Sequence, residues 1–219
     1  MPAADWNTLA ALKRRLVRKA LSYAIFIADT DTVTLTAPFD TGGVLQTLPA
    51  GYQPIGYTDD SGITWSGDYS LSEVASGQSA KPVRADVETD TVTAQFVPIE
   101  TNAASTCLFE DLPLSSLGEV GTPWDWSRPM VPATIYRRMV AIARDTTEGG
   151  TDPIYIVRHL PLALRSERGE EQWVRTEAIS REVTMAAYHD DGAGTDSRTW
   201  VDGPGWRALG GTSSGGGGS

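Results

Sequence analysis

The residues that could act as nucleophiles are one serine in the C-terminal tail and one cysteine. Residues 211–215 read GTSSG and match the pattern G-x-S-x-G. That pattern supplies a reactive serine only at a tight strand-to-helix turn, with a histidine and an acid placed nearby. Here it lies in a Gly/Ser-rich tail, where such a turn is not expected. Cys107 lies between Thr106 and Leu108 and is predicted to be a buried structural thiol.

The two histidines could bind a metal ion only with help from neighbouring ligands. His159 and His189 are thirty residues apart, and the sequence contains no H-x-x-x-H pattern or Cys/His cluster. His159 lies in an apolar stretch and is expected to be a satisfied strand histidine. The oxygen-rich loop 190–196 could hold Ca²⁺ but lacks the acidic spacing of an EF-hand, which favours a solvated turn. We expect no metal, no cofactor and no enzymatic activity, because no P-loop, dinucleotide motif or catalytic carboxylate pair is present either.

Seven tryptophans could indicate carbohydrate binding, because aromatic rings stack on sugars. They are dispersed along the chain, and only Trp124 and Trp126 lie close together. Alternate residues of an extended segment point the same way, so these two could form a small platform. Packing in the core or at a subunit interface is favoured, because tryptophan buries a large area and is enriched in interfaces.

The charge of the chain is negative overall but unevenly distributed. The formal net charge of the chain is −10. Residues 1–19 contain five basic side chains and one acid, a net charge of +4, so the remaining residues together carry about −14. A basic arm on an acidic body can dock on another copy or can simply be a solvated helix face. Stable DNA binding is disfavoured, because it needs a basic surface. One cysteine excludes an intrachain disulfide, which suits assembly in a reducing cytoplasm. No apolar run is long enough to span a membrane.

Hydrophobic spacing divides the chain into three parts. Residues 1–22 carry apolar side chains at spacings of three and four and predict a basic amphipathic helix of three or four turns. Residues 23–209 consist mainly of β-branched and alternating stretches between Gly, Asp and Pro turns, which predict one domain with a β-sandwich or barrel fold. Residues 210–219 are a Gly/Ser-rich flexible tail or linker by composition.

Within the predicted β domain, individual elements can be assigned. Strands are predicted at residues 25–27, 32–36, 91–97, 135–143 and 154–164, and around residues 179–185, where Arg181 interrupts the apolar face. Residues 102–108 predict a short helix after a Thr/Asn cap signal. Residues 41–51, 66–80 and 111–132 predict long polar loops, which are uncommon in a compact domain unless they have a function.

Three blocks of sequence resemble one known family when they are taken in order. Residues 51–102 run from an Ile-Gly-Tyr turn through an acidic-Gly turn and a Thr-Trp strand to an alternating strand that ends in Glu-Thr-Asn. Residues 153–161 form a strand that enters a proline-marked turn, and residues 199–206 end in Gly-Pro-Gly-Trp. Together these blocks resemble the major tail proteins, or tail tube proteins, of siphophages infecting actinobacteria.

The resemblance implies a structural virion protein, whose β-sandwich subunits form hexameric rings that stack into a tube for DNA ejection. It implies that the partners are copies of the same chain, the tape measure protein, the tail terminator and the tail tip proteins, with DNA only in transit. The arm, aromatic residues and loops would contact neighbouring subunits. The candidate contact residues are Trp6, Lys13, Arg14, Arg15, Arg18, Lys19, Trp65, Tyr69, Trp124 and Trp126.

An acidic lumen would repel DNA and let it slide. The candidate lumen-facing acids flank predicted strands and are Asp59, Asp60, Asp86, Glu88 and Asp90; solvated outer turns are an equal alternative for each. The alternative function is a monomeric β-sandwich module that binds a glycan or receptor through Trp124 and Trp126. A hydrolase is a distant third hypothesis.

Overall fold

The computed structural model describes residues 5–147 and 149–210, and within these ranges the chain is mainly β, as predicted. In chain order the elements are α1 (Trp6–Ala10), a 3₁₀ turn (Arg14–Leu16), β1 (Ser22–Asp29), β2 (Gln53–Pro54), β3 (Thr64–Ser66), β4 (Tyr69–Ser76), β5 (Ser79–Asp90), β6 (Thr93–Phe96), α2 (Ala103–Glu110), β7 (Tyr136–Thr146), β8 (Pro153–Gln172), β9 (Ser180–Ala187), β10 (Arg198–Asp202) and α3 (Pro204–Gly210).

Eight strands form one antiparallel sheet, in which seven follow the order β2-β1-β7-β8-β9-β6-β3 and the eighth, β10, pairs with β8. β8 is its centre, because it pairs with β7 on one side and with both β10 and β9 on the other, near its start and its end respectively. The predicted strands at 135–143 and 154–164 are therefore confirmed as central. Their near-continuous apolar sequence follows from burial on both faces of the sheet.

One face of the sheet packs on α2 and contains the larger part of the core. Ala94 and Phe96 of β6 and Val183 and Met185 of β9 are buried here, which confirms the predicted alternation. The helix predicted at 102–108 is also confirmed, because the Asn102 side chain accepts a hydrogen bond from the Ser105 amide at 2.8 Å. Trp65 of β3 lines a cavity together with residues of β7 and β8. The far edge of the sheet therefore curls over this face, which is closer to a barrel than to two stacked sheets.

The other face of the sheet is covered by the segment between β1 and β2. Leu35 of this segment packs with Val140 and Val157 of the sheet. The strand predicted at 32–36 is wrong, because this segment lies across the sheet and does not pair with its edge. Its backbone is bound by a side chain instead: Arg138 Nε donates to the Thr32 carbonyl at 2.8 Å.

The loop predicted at residues 66–80 is also wrong, because these residues belong to a long β-hairpin. β4 and β5 pair only with each other in a two-stranded sheet that is separate from the eight-stranded one. The prediction failed because residues 66–80 are mostly polar residues and glycine, and the short alternation at Tyr69 and Leu71 lies on a hairpin that is exposed on both faces. By contrast, residues 41–51 and 111–132 contain no helix or strand, as predicted.

The continuous helix predicted near the N-terminus is wrong as well. α1 ends at Ala10, and Ala11 has a left-handed backbone with φ 48°. A separate 3₁₀ turn follows, and then extended chain leads into β1. Among the described residues, no surface packs against the apolar stripe of this segment, and Leu12 is 82% exposed. A helix of this length is marginal in water without such packing.

Arg137 of β7 links the sheet to α2 from inside the core. Its side chain is 1% exposed, and Nη1 contacts Asp29 Oδ1 at 2.8 Å. Nη2 donates to the carbonyl of Cys107 at 3.3 Å and to that of Leu112. Burial lowers the pKa of the guanidinium, and Asp29 opposes this shift. The arginine therefore links Asp29 of β1 to the chain at and just after the end of α2, where the Cys107 carbonyl also accepts backbone hydrogen bonds from Asp111 and Leu112.

We predict that Arg137→Met lowers the free energy of unfolding by about 3–5 kcal/mol, because it removes the buried cation that pairs with the Asp29 carboxylate and binds the Leu112 carbonyl. Urea denaturation measures this change. The matched control is Arg84→Met, which removes an exposed pair with Asp86 at 2.7 Å and should cost less than about 1 kcal/mol. Equal losses in the two variants would contradict the proposed role of Arg137.

Candidate functional site

The root of the N-terminal arm is attached to the body of its own subunit. Arg18 Nη1 lies 3.3 Å from Asp145 Oδ2, and the amide of Lys19 donates to the same oxygen at 3.1 Å. A cavity of about 420 Å³ lies beside this contact and is lined by Arg14, Arg18, Lys19 and Asp145 among others. Arg18 was predicted as a contact to a neighbouring subunit, and its side chain is already engaged within this subunit.

The outer part of the arm is exposed. The side chains of Trp6, Lys13, Arg14 and Arg15 all lie at the surface, as do the apolar Leu9 and Leu12. Apolar residues of this number on one short segment are unusual for a monomer surface. The arm therefore presents both basic and apolar side chains outside the body.

The hairpin is the second exposed feature, and its two strands carry three of the five predicted lumen acids. A regular strand would place Asp86, Glu88 and Asp90 on one face. The pairing has a register shift at Ser70/Leu71, however. Asp90 pairs across from Tyr69, whereas Asp86 pairs across from Ser72. The shift places Asp86 and Asp90 on opposite faces, because Tyr69 and Ser72 are separated by an odd number of positions on β4.

The remaining lumen candidates lie in the turn before β3. Asp59 is half-buried, and its Oδ1 accepts hydrogen bonds from the Ser61 amide at 3.2 Å and from the Ser61 hydroxyl at 2.6 Å. Asp60 is exposed. Asp86 is paired with Arg84. Asp59 and Asp86 therefore have partners in their own subunit, and Asp60, Glu88 and Asp90 are the exposed acids that remain to face a lumen.

The tryptophans at 124 and 126 lie in different environments. Trp124 packs against the core, and its indole nitrogen donates to the Gly118 carbonyl at 3.2 Å. Trp126 is 41% exposed. The two side chains therefore differ in exposure, since Trp124 is partly buried against the core and Trp126 lies at the surface. Trp65 also packs against the core, and the guanidinium carbon of Arg158 lies 4.2 Å from its ring centre.

His159 is a core residue, as the sequence predicts. It is 2% exposed, its ring stacks near Trp200 at a centroid distance of 6.4 Å, and Nε2 lies 3.4 Å from the Tyr52 hydroxyl. Burial lowers the pKa of His159 to about 4, and the nearby Arg138 acts in the same direction. His159 is therefore neutral at pH 7 and contributes packing.

The oxygen-rich loop after His189 forms a turn around its first carboxylate. Asp190 Oδ1 accepts from the amides of Gly192 and Ala193 at 2.8 and 3.0 Å, and Oδ2 pairs with Arg138 at 3.0 Å. The carboxylate is thus satisfied by protein groups. Within residues 5–147 and 149–210, no group of three His, Cys, Asp or Glu side chains could hold a metal ion.

Cys107 is fully buried in α2, and burial raises the pKa of its thiol, which fits the predicted structural role. The G-x-S-x-G match at 211–215 lies outside the described residues.

Sequence reasoning missed the role of the arginines in the central strands. Arg137 and Arg158 occupy positions within apolar runs, and such a position is the only signal that could have identified Arg137 as buried and Arg158 as half-buried.

The chain matches no protein-family model and no curated protein. In the part of the chain that the structure describes, no helix is both long and apolar enough to cross a bilayer. Its function is therefore inferred from its own residues and surfaces.

His159 makes stability depend on pH. Its pKa is about 4 in the fold and about 6.5 in an unfolded chain. Between these values the unfolded state binds more protons, so stability is lost as the pH falls from 6.5 towards 4. The unfolding free energy should therefore fall between pH 6.5 and pH 5, and we predict that His159→Gln reduces this fall by about 1.6 kcal/mol, measured by urea denaturation at the two pH values.

The control for this titration is the second histidine. His189→Gln changes a side chain that is 63% exposed, and it should leave the pH dependence as in the unsubstituted protein. The same slope in all three proteins would show that His159 does not titrate as described.

Proposed function

We propose that this chain is a structural virion protein that polymerises as stacked hexameric rings into a phage tail tube, the conduit for DNA ejection. The observation that carries the proposal is the β4–β5 hairpin, which extends outside the eight-stranded sheet and is exposed on both faces. The ordered resemblance to tail tube proteins supports the same function. The protein would assemble in the host cytoplasm and reside in the virion tail. Its partners would be its own copies, the tape measure protein, and the terminator and tip proteins.

The hairpin has the properties of a segment that needs a neighbour. A lone two-stranded hairpin is marginally stable in water. This one also exposes large apolar side chains, namely Tyr69, Leu71, Val74, Val83 and Val87. Its outer edges present unpaired backbone groups that can pair with strands of another chain. Contact between the hairpin of one copy and a different surface of the next is heterologous association, which builds rings and filaments.

The arm supports the same proposal by a separate route. Its apolar side chains and its basic residues lie outside the body, and the body is acidic. An arm that docks on an adjacent copy buries apolar area and pairs opposite charges. The Arg18–Asp145 pair fixes the point from which the arm leaves its own subunit.

The surface charge is compatible with a conduit for DNA. A tube that conducts DNA must not bind it, and acids along the lumen repel phosphates. Asp60, Glu88 and Asp90 are exposed and are the acids that we assign to this role. Trp124 and Trp126 give no support to the glycan-binding alternative.

We predict that Val87→Asp abolishes assembly. Val87 is 56% exposed on the hairpin, and a charge there opposes the burial of the hairpin against a neighbour. The unsubstituted protein should form hollow, striated tubes or stacked six-fold rings in negative-stain electron microscopy of concentrated samples. The variant should give dispersed particles with an unchanged unfolding midpoint.

The matched control for this substitution is Val33→Asp. Val33 is 71% exposed and lies outside the hairpin, the arm and the long loops. This variant should assemble normally. The proposal fails if the unsubstituted protein stays dispersed across salt and protein concentration while a purified tail-tip complex is present to nucleate tubes.

We predict that deleting residues 1–17 impairs ring stacking and leaves the body folded, because the deletion retains Arg18 and its contact with Asp145. Sedimentation of assemblies and thermal unfolding measure the two properties.

A second variant, with Lys13, Arg14 and Arg15 changed to Gln, removes charge and keeps the apolar residues of the arm. If charge pairing drives docking, this variant should weaken assembly most at low salt. Normal tubes from the truncated protein would exclude a role for the arm.

A further inference from the structure

A small apolar cavity lies where the edge of the sheet curls over its own face. Its volume is about 300 Å³. Trp65 and Ile63 form one wall, and Ala143 and Ile156 from the central strands form part of the other. The lining is mostly hydrocarbon, and Arg158 is the one charged side chain in it. A largely apolar cavity with few polar groups is the usual form of a small-molecule site.

Arg158 differs from other arginines with similar burial. Among the described residues, three arginines have a buried Nε atom without a hydrogen-bond partner. Two of them have a carboxylate beside the guanidinium: Arg18 pairs with Asp145, and Arg165 pairs with Asp111. Arg158 has no ion pair with any residue in 5–147 or 149–210. Its guanidinium contacts only the ring face of Trp65, at 4.2 Å.

This arrangement leaves the guanidinium of a half-buried arginine with a buried Nε that has no hydrogen-bond partner and with no carboxylate beside it in the described residues. A guanidinium over an aromatic ring gains about 0.5–2 kcal/mol, and a carboxylate in the cavity would add a charge-assisted pair. A carboxylate offers two oxygens that match the guanidinium geometry. One arginine among hydrocarbon walls suits a singly charged carboxylate better than a phosphate, which has more charge and more acceptor oxygens to satisfy.

We propose that this cavity binds a carboxylate attached to a small apolar body. Arg158 pairs with the carboxylate, and Trp65, Ile63 and Ile156 contact the apolar part. Two sources have this chemistry: a free amphipathic carboxylic acid, or an acidic side chain next to an apolar one on a second copy of the chain. The proposal concerns the cavity and does not depend on tube formation.

Isothermal titration with octanoate tests the proposal on the full-length protein. Octanoate should bind, and Arg158→Gln should weaken its affinity about tenfold or more, because a charge-assisted hydrogen bond is lost. The uncharged probe 1-octanol should bind the two proteins alike. The matched control is Arg198→Gln, since Arg198 lies 4.8 Å from the centre of Trp200 in a similar pair outside the cavity. That variant should bind octanoate normally.

A second variant tests the cavity without changing Arg158, so that a folding defect of Arg158→Gln cannot be mistaken for a loss of binding. Ala143→Leu fills the cavity from the opposite wall and leaves Arg158 in place, and it should weaken the binding of both probes. Circular dichroism verifies that each variant is folded. The proposal is overturned if octanoate does not bind, or if it binds equally well to the protein and to Arg158→Gln.

Sedimentation velocity at high protein concentration separates the two sources. If the carboxylate comes from a second copy, saturating octanoate and Arg158→Gln should each reduce self-association. If the natural ligand is a free acid, octanoate should bind while self-association stays unchanged.

Discussion

The end of α2 is held by buried arginines, and the core depends on this contact. The last carbonyls of a helix lack partners within the helix, and here they lie inside the protein. Arg137 binds the carbonyls of Cys107 and Leu112 and also the carboxylate of Asp29. Arg165 binds the Phe109 carbonyl and Asp111. These contacts join one helix to β1, β7 and β8. Because cations are also favourable at a helix C-terminus, the same side chains satisfy hydrogen bonds and the helix dipole. The helix can then cover one face of the sheet.

The body that results has both faces of its sheet covered and only short strands at its edges, whereas the hairpin and the arm are exposed. The sheet has helix α2 on one face and the segment before β2 on the other, and its edges are short strands of two and three residues. Short edges offer little backbone for pairing with another chain. The hairpin, by contrast, has strands of eight and twelve residues and few buried side chains. The potential for association is therefore concentrated in two segments that contribute little to the core. In the proposed tube, this separation would allow a subunit to fold before it assembles.

Local patterns in the sequence were sufficient for the elements that are governed by local chemistry. The cap of α2 at Asn102 and the alternation in β6 and β9 could be read directly, including Arg181 on the apolar face, which pairs with Glu171 at 3.0 Å. Features that depend on contacts between residues far apart in the sequence could not be predicted in this way. The pair Arg137–Asp29 joins residues 108 positions apart. The amphipathic spacing near the N-terminus predicts a helix only if a surface covers its apolar stripe. The hairpin is exposed on both faces, and its short apolar alternations, such as Tyr69 and Leu71, lie in a segment that is otherwise polar. The same argument explains why the predicted lumen acids separated: a register shift cannot be seen in one strand's sequence.

The ion pairs also explain how a protein with two buried arginines, Arg137 and Arg181, and several half-buried ones among its described residues presents an acidic surface. Each internal ion pair, such as Arg137–Asp29 or Arg138–Asp190, contains one positive and one negative charge and so contributes nothing to the net charge. The net charge of −10 is therefore carried by acids left over after pairing, and these lie at the surface. Positive charge outside the body is concentrated in the arm. An acidic surface repels nucleic acid at a distance and attracts a basic segment of the same chain. One charge distribution would thus disfavour DNA binding and favour docking of the arm on another copy, which is the combination that the proposed DNA conduit requires.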